Sequence, residues 1–236
     1  MASANNPVEP HEEIDPRRLV LNLLAQFLFL ALLLFLPAGD LGWRKGWVFF
    51  LVCLAVSAVW VPYLWRVNPG VLVARSRMRW AKRWDMILSS IMIAPVTAIF
   101  LVAALDDGRF HWLPIPWWLC GIGYLLFLVG MGLATWVAAV NKFAEGPVRI
   151  QTERGHTVVD TGPYAIVRHP GYVAAVFLFA GIALSLGSLW TLFPAGLFFV
   201  LLILRTQWED QTLQEELAGY REYTARVRYK LIPGVW

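Results

Sequence analysis

The sequence predicts an all-α, multi-pass integral membrane protein with about six transmembrane helices, the last two forming a short hairpin, and a cytosolic amphipathic helix at the C-terminus. Two observations carry this prediction. Hydrophobic residues occupy 58% of the 236 positions and charged residues only 15%, a balance unlike that of a soluble domain. The apolar residues also fall into long runs, which a bilayer solvates as helices of about 20 residues.

Four apolar runs predict the first four spans, at 19–36, 47–64, 86–105 and 117–140. Pro37 and Gly39 break the chain after the first run, and Trp43 and Trp65 flank the second at interface positions. A polar, acidic tail precedes the first run instead of the basic start of a signal peptide. We therefore expect that run to remain as a span.

The connector at 66–85 is basic, and its cations alternate with apolar and tryptophan side chains. A plain basic loop and an amphipathic helix lying on an anionic leaflet both account for this pattern.

The C-terminal part begins with a long polar stretch, residues 141–171. Two short spans, 172–186 and 189–204, follow it and are joined at Gly187 and Ser188. From 205 to 228, apolar residues recur at helical spacing, which predicts the amphipathic helix. The chain thus divides into a polar tail (1–18), a four-span region (19–140) and a C-terminal region (141–236) that holds the polar stretch, the hairpin and the last helix.

The distribution of cations predicts the orientation. With six spans and a cytosolic N-terminus, all but three of the 20 Lys and Arg residues lie on the cytosolic side. The exceptions are Arg44, Lys45 and Arg109. Because cytosolic loops carry such an excess, we expect both termini and the polar stretch on that side. Scattered cations between apolar spans fit membrane lipid as a partner and not nucleic acid.

Several features have ordinary explanations. Glycines inside the fourth span follow no strand, so they indicate close helix packing and not a dinucleotide loop; they are Gly121, Gly123, Gly130 and Gly132. Cys53 and Cys120 form no disulfide framework. His111 has no second ligand at metal spacing, so we expect no metal. Hydrolase and NTPase motifs are absent from the sequence.

Ionisable residues cluster at one of the predicted membrane boundaries. Arg168 and His169 stand where the fifth span begins, and the hairpin returns the chain to that face near Arg205 and Glu209. Juxtamembrane cations commonly bind lipid phosphates and set topology, and Glu209 with Asp210 fits a solvated helix face. However, ionisable residues gathered at a membrane boundary are costly and indicate function.

The residues around this boundary follow a known pattern. Gly162-Pro163-Tyr164 precedes Arg168-His169-Pro170-Gly171-Tyr172, and Glu209-Asp210 follows the hairpin. The pattern resembles the isoprenylcysteine carboxyl methyltransferase family and, more loosely, the phospholipid methyltransferases. The chain departs from it at Asp210, where the family usually has a second Glu, and at Gly171.

The resemblance implies a membrane enzyme that uses S-adenosylmethionine without a Rossmann domain. A lipophilic or prenylated acceptor enters from the bilayer, and the last helix closes the cofactor pocket. Arg205 and Arg168 are the implied catalytic residues, with Arg205 at the acceptor end. The implied cofactor-binding residues are His156, Val159, Gly162, Tyr164, Arg168, His169, Pro170, Tyr172 and Glu209.

The residue types suit this chemistry. Arg168 and His169 at a helix start suit the carboxylate of the cofactor, Glu209 suits its ammonium group, and tyrosine faces suit its sulfonium. Carboxyl O-methylation of an isoprenylcysteine-like acceptor is the first hypothesis and N-methylation of a phospholipid amine the second. The alternatives are an NADPH-dependent reductase of the sterol reductase type and a lipid-binding protein without catalysis.

Overall fold

The computed structural model describes residues 16–76 and 81–236, apart from the side chains at 16 and 73–76. The predicted tail up to residue 15, Arg77 and Arg79 of the basic connector, and the side chain of Arg75 lie outside the described residues. Within the described part the chain is helical, with no strand. The α-helices are α1 (Pro16–Ala38), α2 (Arg44–Val67), α3 (Pro69–Ser76), α4 (Arg83–Leu105), α5 (Trp117–Val140), α6 (Pro170–Ser185), α7 (Leu192–Glu216) and α8 (Tyr220–Arg226).

In the part of the chain that the structure describes, five helices are long and apolar enough to cross a membrane. They are α1, α2, α4 with the π-helical turn Asp106–Phe110 that continues it, α5 and α7. The remaining predicted span is α6, whose 16 residues give about 24 Å of helix, less than the ~30 Å of a hydrocarbon core. The all-α, multi-pass architecture is as predicted, with α6 as a shorter helix.

Helices α5 and α6 pack unusually closely. A Cβ added at Gly123 or Gly130 of α5 would lie 2.4 or 2.5 Å from a backbone nitrogen of α6, and one at Gly181 of α6 would lie 2.3 Å from α5. Small residues allow two backbones to approach in this way. The packing prediction is confirmed at Gly123 and Gly130. It is wrong at Gly121 and Gly132, around which no described atom would lie within 4 Å of a Cβ.

The middle of the bundle is filled by aromatic side chains. The ring of Phe49 on α2 lies 6.1 Å from that of Phe100 on α4 and 5.9 Å from that of Phe127 on α5, in edge-on arrangements. Such ring pairs contribute about 0.5–1.5 kcal/mol beyond the area they bury. These contacts fix the positions of three spanning helices against one another.

Helix α7 is longer than the predicted sixth span. We expected that span to end at residue 204 and a separate amphipathic helix to cover 205–228. This boundary is wrong, because α7 continues to Glu216 and only α8 is separate. Residues 205–216 include strong helix formers and contain no Gly or Pro. The break comes at Gly219, whose φ of +80° is accessible to glycine at little cost.

The turn between α6 and α7 is held by buried polar groups at the end of the bundle opposite the 141–169 loop. Lys45 donates to Asp107 at 2.6 Å, and the indole nitrogen of Trp43 donates to the same carboxylate at 2.8 Å. The hydroxyl of Ser188, in the turn itself, donates to Asp106. The polar link after α4 is therefore a structural clamp on the hairpin.

The basic connector begins with helix α3. Val71 and Leu72 of this helix are buried against Leu64 of α2 and Ala138 of α5. The first part of the connector is thus a helix packed on the bundle, and its position on a membrane surface stays a prediction.

Candidate functional site

A cavity of about 670 Å³ opens where α4 and α6 begin and α5 ends. The 141–159 loop, α7 and α8 contribute ionisable and aromatic groups to its wall. Its lining also follows α4 from Ser89 to Thr97 and includes Phe29 of α1 and Phe198 of α7. That stretch of α4 covers about 12 Å along the helix axis. The cavity therefore joins a polar boundary to the apolar interior of the spanning helices.

Asp210 is the centre of the polar network beside this cavity. Its carboxylate is 1% exposed and accepts two hydrogen bonds from Arg168, at 2.8 and 3.1 Å. The Nε2 atom of His169 lies 3.1 Å from it, and Gln214 and Tyr220 donate to it at 2.8 and 3.3 Å. The interpretation that Glu209 and Asp210 lie on a solvated helix face is therefore wrong for Asp210. A carboxylate at this depth is stabilised by such paired and hydrogen-bonded surroundings.

Arg168 uses the rest of its guanidinium to hold the C-terminal segment. Its Nη1 donates to the carbonyls of Val227 and Arg228 at 3.1 and 2.7 Å. The main-chain N–H groups of Arg168 and His169 donate to the carbonyls of Tyr229 and Lys230 at 2.9 and 3.0 Å. We call residues 227–236 the C-terminal strap. Arg168 also lines the cavity, but all four of its described side-chain hydrogen bonds go to protein groups. Its guanidinium is therefore largely committed within the protein.

A second set of side chains lines the cavity, formed by Tyr172 of α6 with Arg205 and Glu209 of α7. The hydroxyl of Tyr172 donates to Glu209, and the guanidinium of Arg205 lies 5.6 Å from the ring of Tyr172. Among the described residues no Lys or Arg forms an ion pair with Glu209. The hairpin argument predicted that the residues at the start of the fifth span lie near Arg205 and Glu209. The structure brings Tyr172 to both, whereas Arg168 and His169 pair with Asp210. Glu209 is thus a carboxylate able to accept a cationic group from a bound molecule.

Arg205 is held by a residue that the sequence analysis did not single out. Its Nε donates to Asp85 at 2.8 Å, and its Nη2 donates to the carbonyl of Gly146 at 2.7 Å. Asp85 stands in the first turn of α4, is 1% exposed, and also accepts from the backbone N–H of Val148 at 2.8 Å. This buried pair connects α4, α7 and the polar loop.

The polar loop presents His156 and Val159 to the cavity. The Nδ1 atom of His156 accepts from the backbone N–H of Gln151 at 3.3 Å, and its ring lies 4.4 Å from that of Phe143. Burial, followed by the charge of Arg149, lowers the pKa of His156 below its ordinary value of 6.5. The imidazole is therefore neutral at pH 7, with Nε2 as its donor.

Three tyrosines complete the wall beside α8. Tyr164 lines the cavity, and its hydroxyl accepts from Asn141 at 2.7 Å. Tyr223 donates to the carbonyl of Tyr164 at 2.7 Å. Burial raises the pKa of Tyr220 and Tyr223, so both hydroxyls remain protonated donors. These contacts dock α8 on the turn that carries Tyr164.

Gly162 and Pro170 do not lie among the described residues that line the cavity. Gly162 has a φ of +59°, and a Cβ there would lie 3.0 Å from Val140. Its requirement for glycine comes from this turn and from its approach to α5. Pro170 is the first residue of α6, where the missing N–H costs nothing. Both residues shape the site without contacting the cavity.

Sequence reasoning missed two buried carboxylates. Asp85 and Glu145 stand at ends of apolar segments, and the side chain of Glu145 is 2% exposed beside Arg149 and Arg154. The available signal was the rule that an ionisable group at a membrane boundary needs a partner. The described residues contain no group of three or more His, Cys, Asp or Glu side chains that could hold a metal ion.

One comparison with known proteins gave a match. The family model described as phospholipid methyltransferase matches residues 118–218. The matched segment runs from the start of α5 through the polar loop and α6 to just beyond α7, and so contains most of the polar wall of the cavity. No match was found among curated proteins.

Proposed function

We propose that the chain, whose residues 118–218 match the phospholipid methyltransferase family model, is a membrane methyltransferase that transfers the methyl group of S-adenosylmethionine to the polar end of a lipophilic acceptor. The observation that carries this proposal is that one continuous cavity joins a charged boundary to the apolar interior of the bundle. A methyl donor that is charged and an acceptor that is lipid-like require these two environments side by side.

The cavity residues fit the methyl donor. A volume of about 670 Å³ is within the ~300–1,000 Å³ of small-molecule sites. Glu209 offers a carboxylate to the ammonium group, and the rings of Tyr172 and Tyr164 offer faces to a sulfonium. His156 offers a neutral donor. S-adenosylmethionine, when bound, supplies the activated methyl group.

The protein's own contribution is positioning and exclusion of water. In-line methyl transfer depends on alignment of donor and acceptor more than on a strong acid or base when the acceptor is an anion. In this proposal Arg168 and His169 act through Asp210 and tie the start of α6 to the C-terminal strap. This differs from the role that the resemblance implies for Arg168, namely direct contact with the reactants.

For the acceptor, carboxyl O-methylation of an isoprenylcysteine-like molecule is our first proposal. Arg205 lines the cavity, and among the described contacts its Nη1 has no protein acceptor. An Arg donor held in this way suits a carboxylate of the acceptor. The apolar lining along α4 suits its prenyl chain.

N-methylation of a phospholipid amine is the second proposal, and Glu209 favours it. An amine acceptor is mostly protonated at neutral pH and must lose a proton before it attacks a methyl group. In this alternative the carboxylate of Glu209, hydrogen-bonded by Tyr172, serves the acceptor in place of the cofactor: it holds the ammonium form and accepts that proton. The description of the matched family agrees with this acceptor.

Methyl transfer can be measured directly with S-adenosylmethionine labelled in its methyl group. Purified protein in lipid bicelles is given N-acetyl-S-farnesylcysteine or phosphatidylethanolamine, and the extracted lipid is treated with base. Label released as volatile methanol indicates a carboxyl ester, and label that stays non-volatile, in the phospholipid or in its deacylated headgroup, indicates an N-methyl group. Label in neither acceptor, together with no binding of S-adenosylmethionine, would contradict the proposal. Binding of NADPH instead would favour the reductase.

A further inference from the structure

Asp85 lies outside the segment that the family model matches, yet it makes the closest charged contact to Arg205. Its Oδ1 accepts from Arg205 Nε at 2.8 Å, and its Oδ2 accepts from the N–H of Val148 at 2.8 Å. The hydroxyl of Ser89, one turn further along α4, lies 3.4 Å from Oδ1. Both carboxylate oxygens are therefore committed to protein groups, and the side chain is 1% exposed.

These contacts determine how Arg205 is presented. With Nε on Asp85 and Nη2 on the carbonyl of Gly146, the guanidinium plane is fixed from two sides. Nη1 is then the nitrogen without a described protein acceptor. A guanidinium placed by a rigid partner loses less conformational freedom when it binds a ligand.

The same contacts set the local charge. The ion pair with Asp85 compensates the charge of Arg205, so this part of the cavity carries a neutral pair with one outward donor. A lone cation at that depth would be costly. It would also attract any anion, including lipid phosphate. Asp85 thus makes Arg205 a directed hydrogen-bond donor.

We propose that Asp85 is the positioning residue of the acceptor end, which holds Arg205 so that Nη1 is presented to the polar group of the acceptor. The proposal rests on the methyltransferase function proposed above. It assigns Asp85 of α4, a helix outside the matched segment, a part in acceptor recognition that acts through Arg205. The cofactor end, around Glu209, His156 and the rings of Tyr164 and Tyr172, does not depend on Asp85 in this proposal.

The test uses Asp85→Asn, which keeps the shape of the side chain and removes its charge. Asp107→Asn is the matched control, because Asp107 forms a buried pair with Lys45 at 2.6 Å at the other end of the bundle. We expect Asp85→Asn to lower kcat/KM for the acceptor about 10²-fold, as for a displaced positioning group. Its dissociation constant for S-adenosylmethionine should change by less than about twofold. Asp107→Asn should lower thermal stability without changing kcat/KM.

A double-mutant cycle with Arg205→Lys isolates the pair. If Asp85 acts through Arg205, the double variant is no slower than the worse single variant, because coupled residues are non-additive. Fully additive losses would overturn the proposal. Should Asp85→Asn fail to fold, Asp85→Glu keeps the charge and moves it by one methylene. In that variant acceptor kcat/KM should fall while cofactor affinity is kept.

The outcomes separate this proposal from the one on which it rests. If the unmodified protein transfers no methyl group to either acceptor, both proposals fall. If it turns over and Asp85→Asn keeps full kcat/KM for the acceptor, only the role of Asp85 is lost. Equal kinetic losses in Asp85→Asn and Asp107→Asn would reduce Asp85 to a purely stabilising residue and also overturn its role.

Discussion

Replacing Arg168 with alanine tests whether this residue holds the C-terminal strap or the cofactor. The substitution removes both bonds to Asp210 and both bonds to the strap carbonyls. Removal of one partner from a buried ion pair costs about 3–5 kcal/mol. His169 still lies 3.1 Å from Asp210, and Lys230 lies 3.5 Å from it. These remaining partners place the expected loss near the lower end, at about 3 kcal/mol.

Opening of the strap breaks the two bonds from Arg168 to the carbonyls of Val227 and Arg228. Hydrogen bonds from a charged donor contribute about 1.5–3 kcal/mol each, so the strap itself should lose about 3 kcal/mol in Arg168→Ala. About 3 kcal/mol corresponds to an increase of roughly 10²-fold in the opening equilibrium. We expect hydrogen exchange, followed by mass spectrometry on peptides from residues 227–236, to accelerate by about this factor in Arg168→Ala. Arg226→Ala is the control, because its pair with Asp160 is exposed, with side-chain exposures of 65% and 38%, and contributes at most about 1 kcal/mol.

The alternative hypothesis, direct contact of Arg168 with the cofactor, predicts the opposite result. If Arg168 contacts the cofactor directly, as the resemblance implies, Arg168→Ala abolishes binding of S-adenosylmethionine while exchange in the strap stays unchanged. That result would refute the strap role. Faster exchange in the strap accompanied by a matching loss of affinity supports it, because release of the strap then loosens the start of α6, where His169 and Tyr172 line the cavity.

Three further predictions concern the loop, the turn and the hairpin. His156 has a depressed folded-state pKa, so its contribution to stability is present above about pH 6.5 and lost as pH falls. Thermal unfolding of His156→Gln should therefore differ from that of the unmodified protein less at about pH 5 than at about pH 7.5. Gly162→Ala should destabilise by about 1–2 kcal/mol because its φ is +59°, and an unchanged melting temperature would contradict the turn argument. Lys45→Met leaves Asp107 buried with the indole of Trp43 as a remaining donor and should cost about 3–5 kcal/mol. In bicelles it should leave the affinity for S-adenosylmethionine unchanged, since the pair lies at the far end of the bundle.

Helix positions were predictable where apolar runs meet strong breakers. Helix α5 covers Trp117–Val140, the same bounds as the predicted fourth span, because Pro116 precedes it and the sequence turns polar at residue 141. The end of α7 was not predictable from hydropathy, since a helix can leave the membrane and continue as a polar helix. Only Gly219 marks the true break, and it lies well beyond the last apolar run.

Only the part of the site that lies on the hairpin was predictable from the sequence. The short hairpin constrains Tyr172 and Glu209 to meet, so their proximity follows from local chain geometry. Asp85 is 120 residues before Arg205, and no spacing in the sequence relates them. Asp210 was visible as a carboxylate, but its burial depends on the strap, which returns across the start of α6 only in the folded chain.

The most direct test of the central claim is a calorimetric titration of the purified protein with S-adenosylmethionine. The account predicts one molecule bound per chain, an affinity at least about tenfold weaker in Glu209→Gln because a charged hydrogen bond is lost, and no binding of NADPH. The Arg226→Ala variant should bind like the unmodified protein. Absence of binding would contradict the methyltransferase function. If Glu209→Gln and His169→Ala both bind S-adenosylmethionine as tightly as the unmodified protein does, the cofactor does not bind in this cavity.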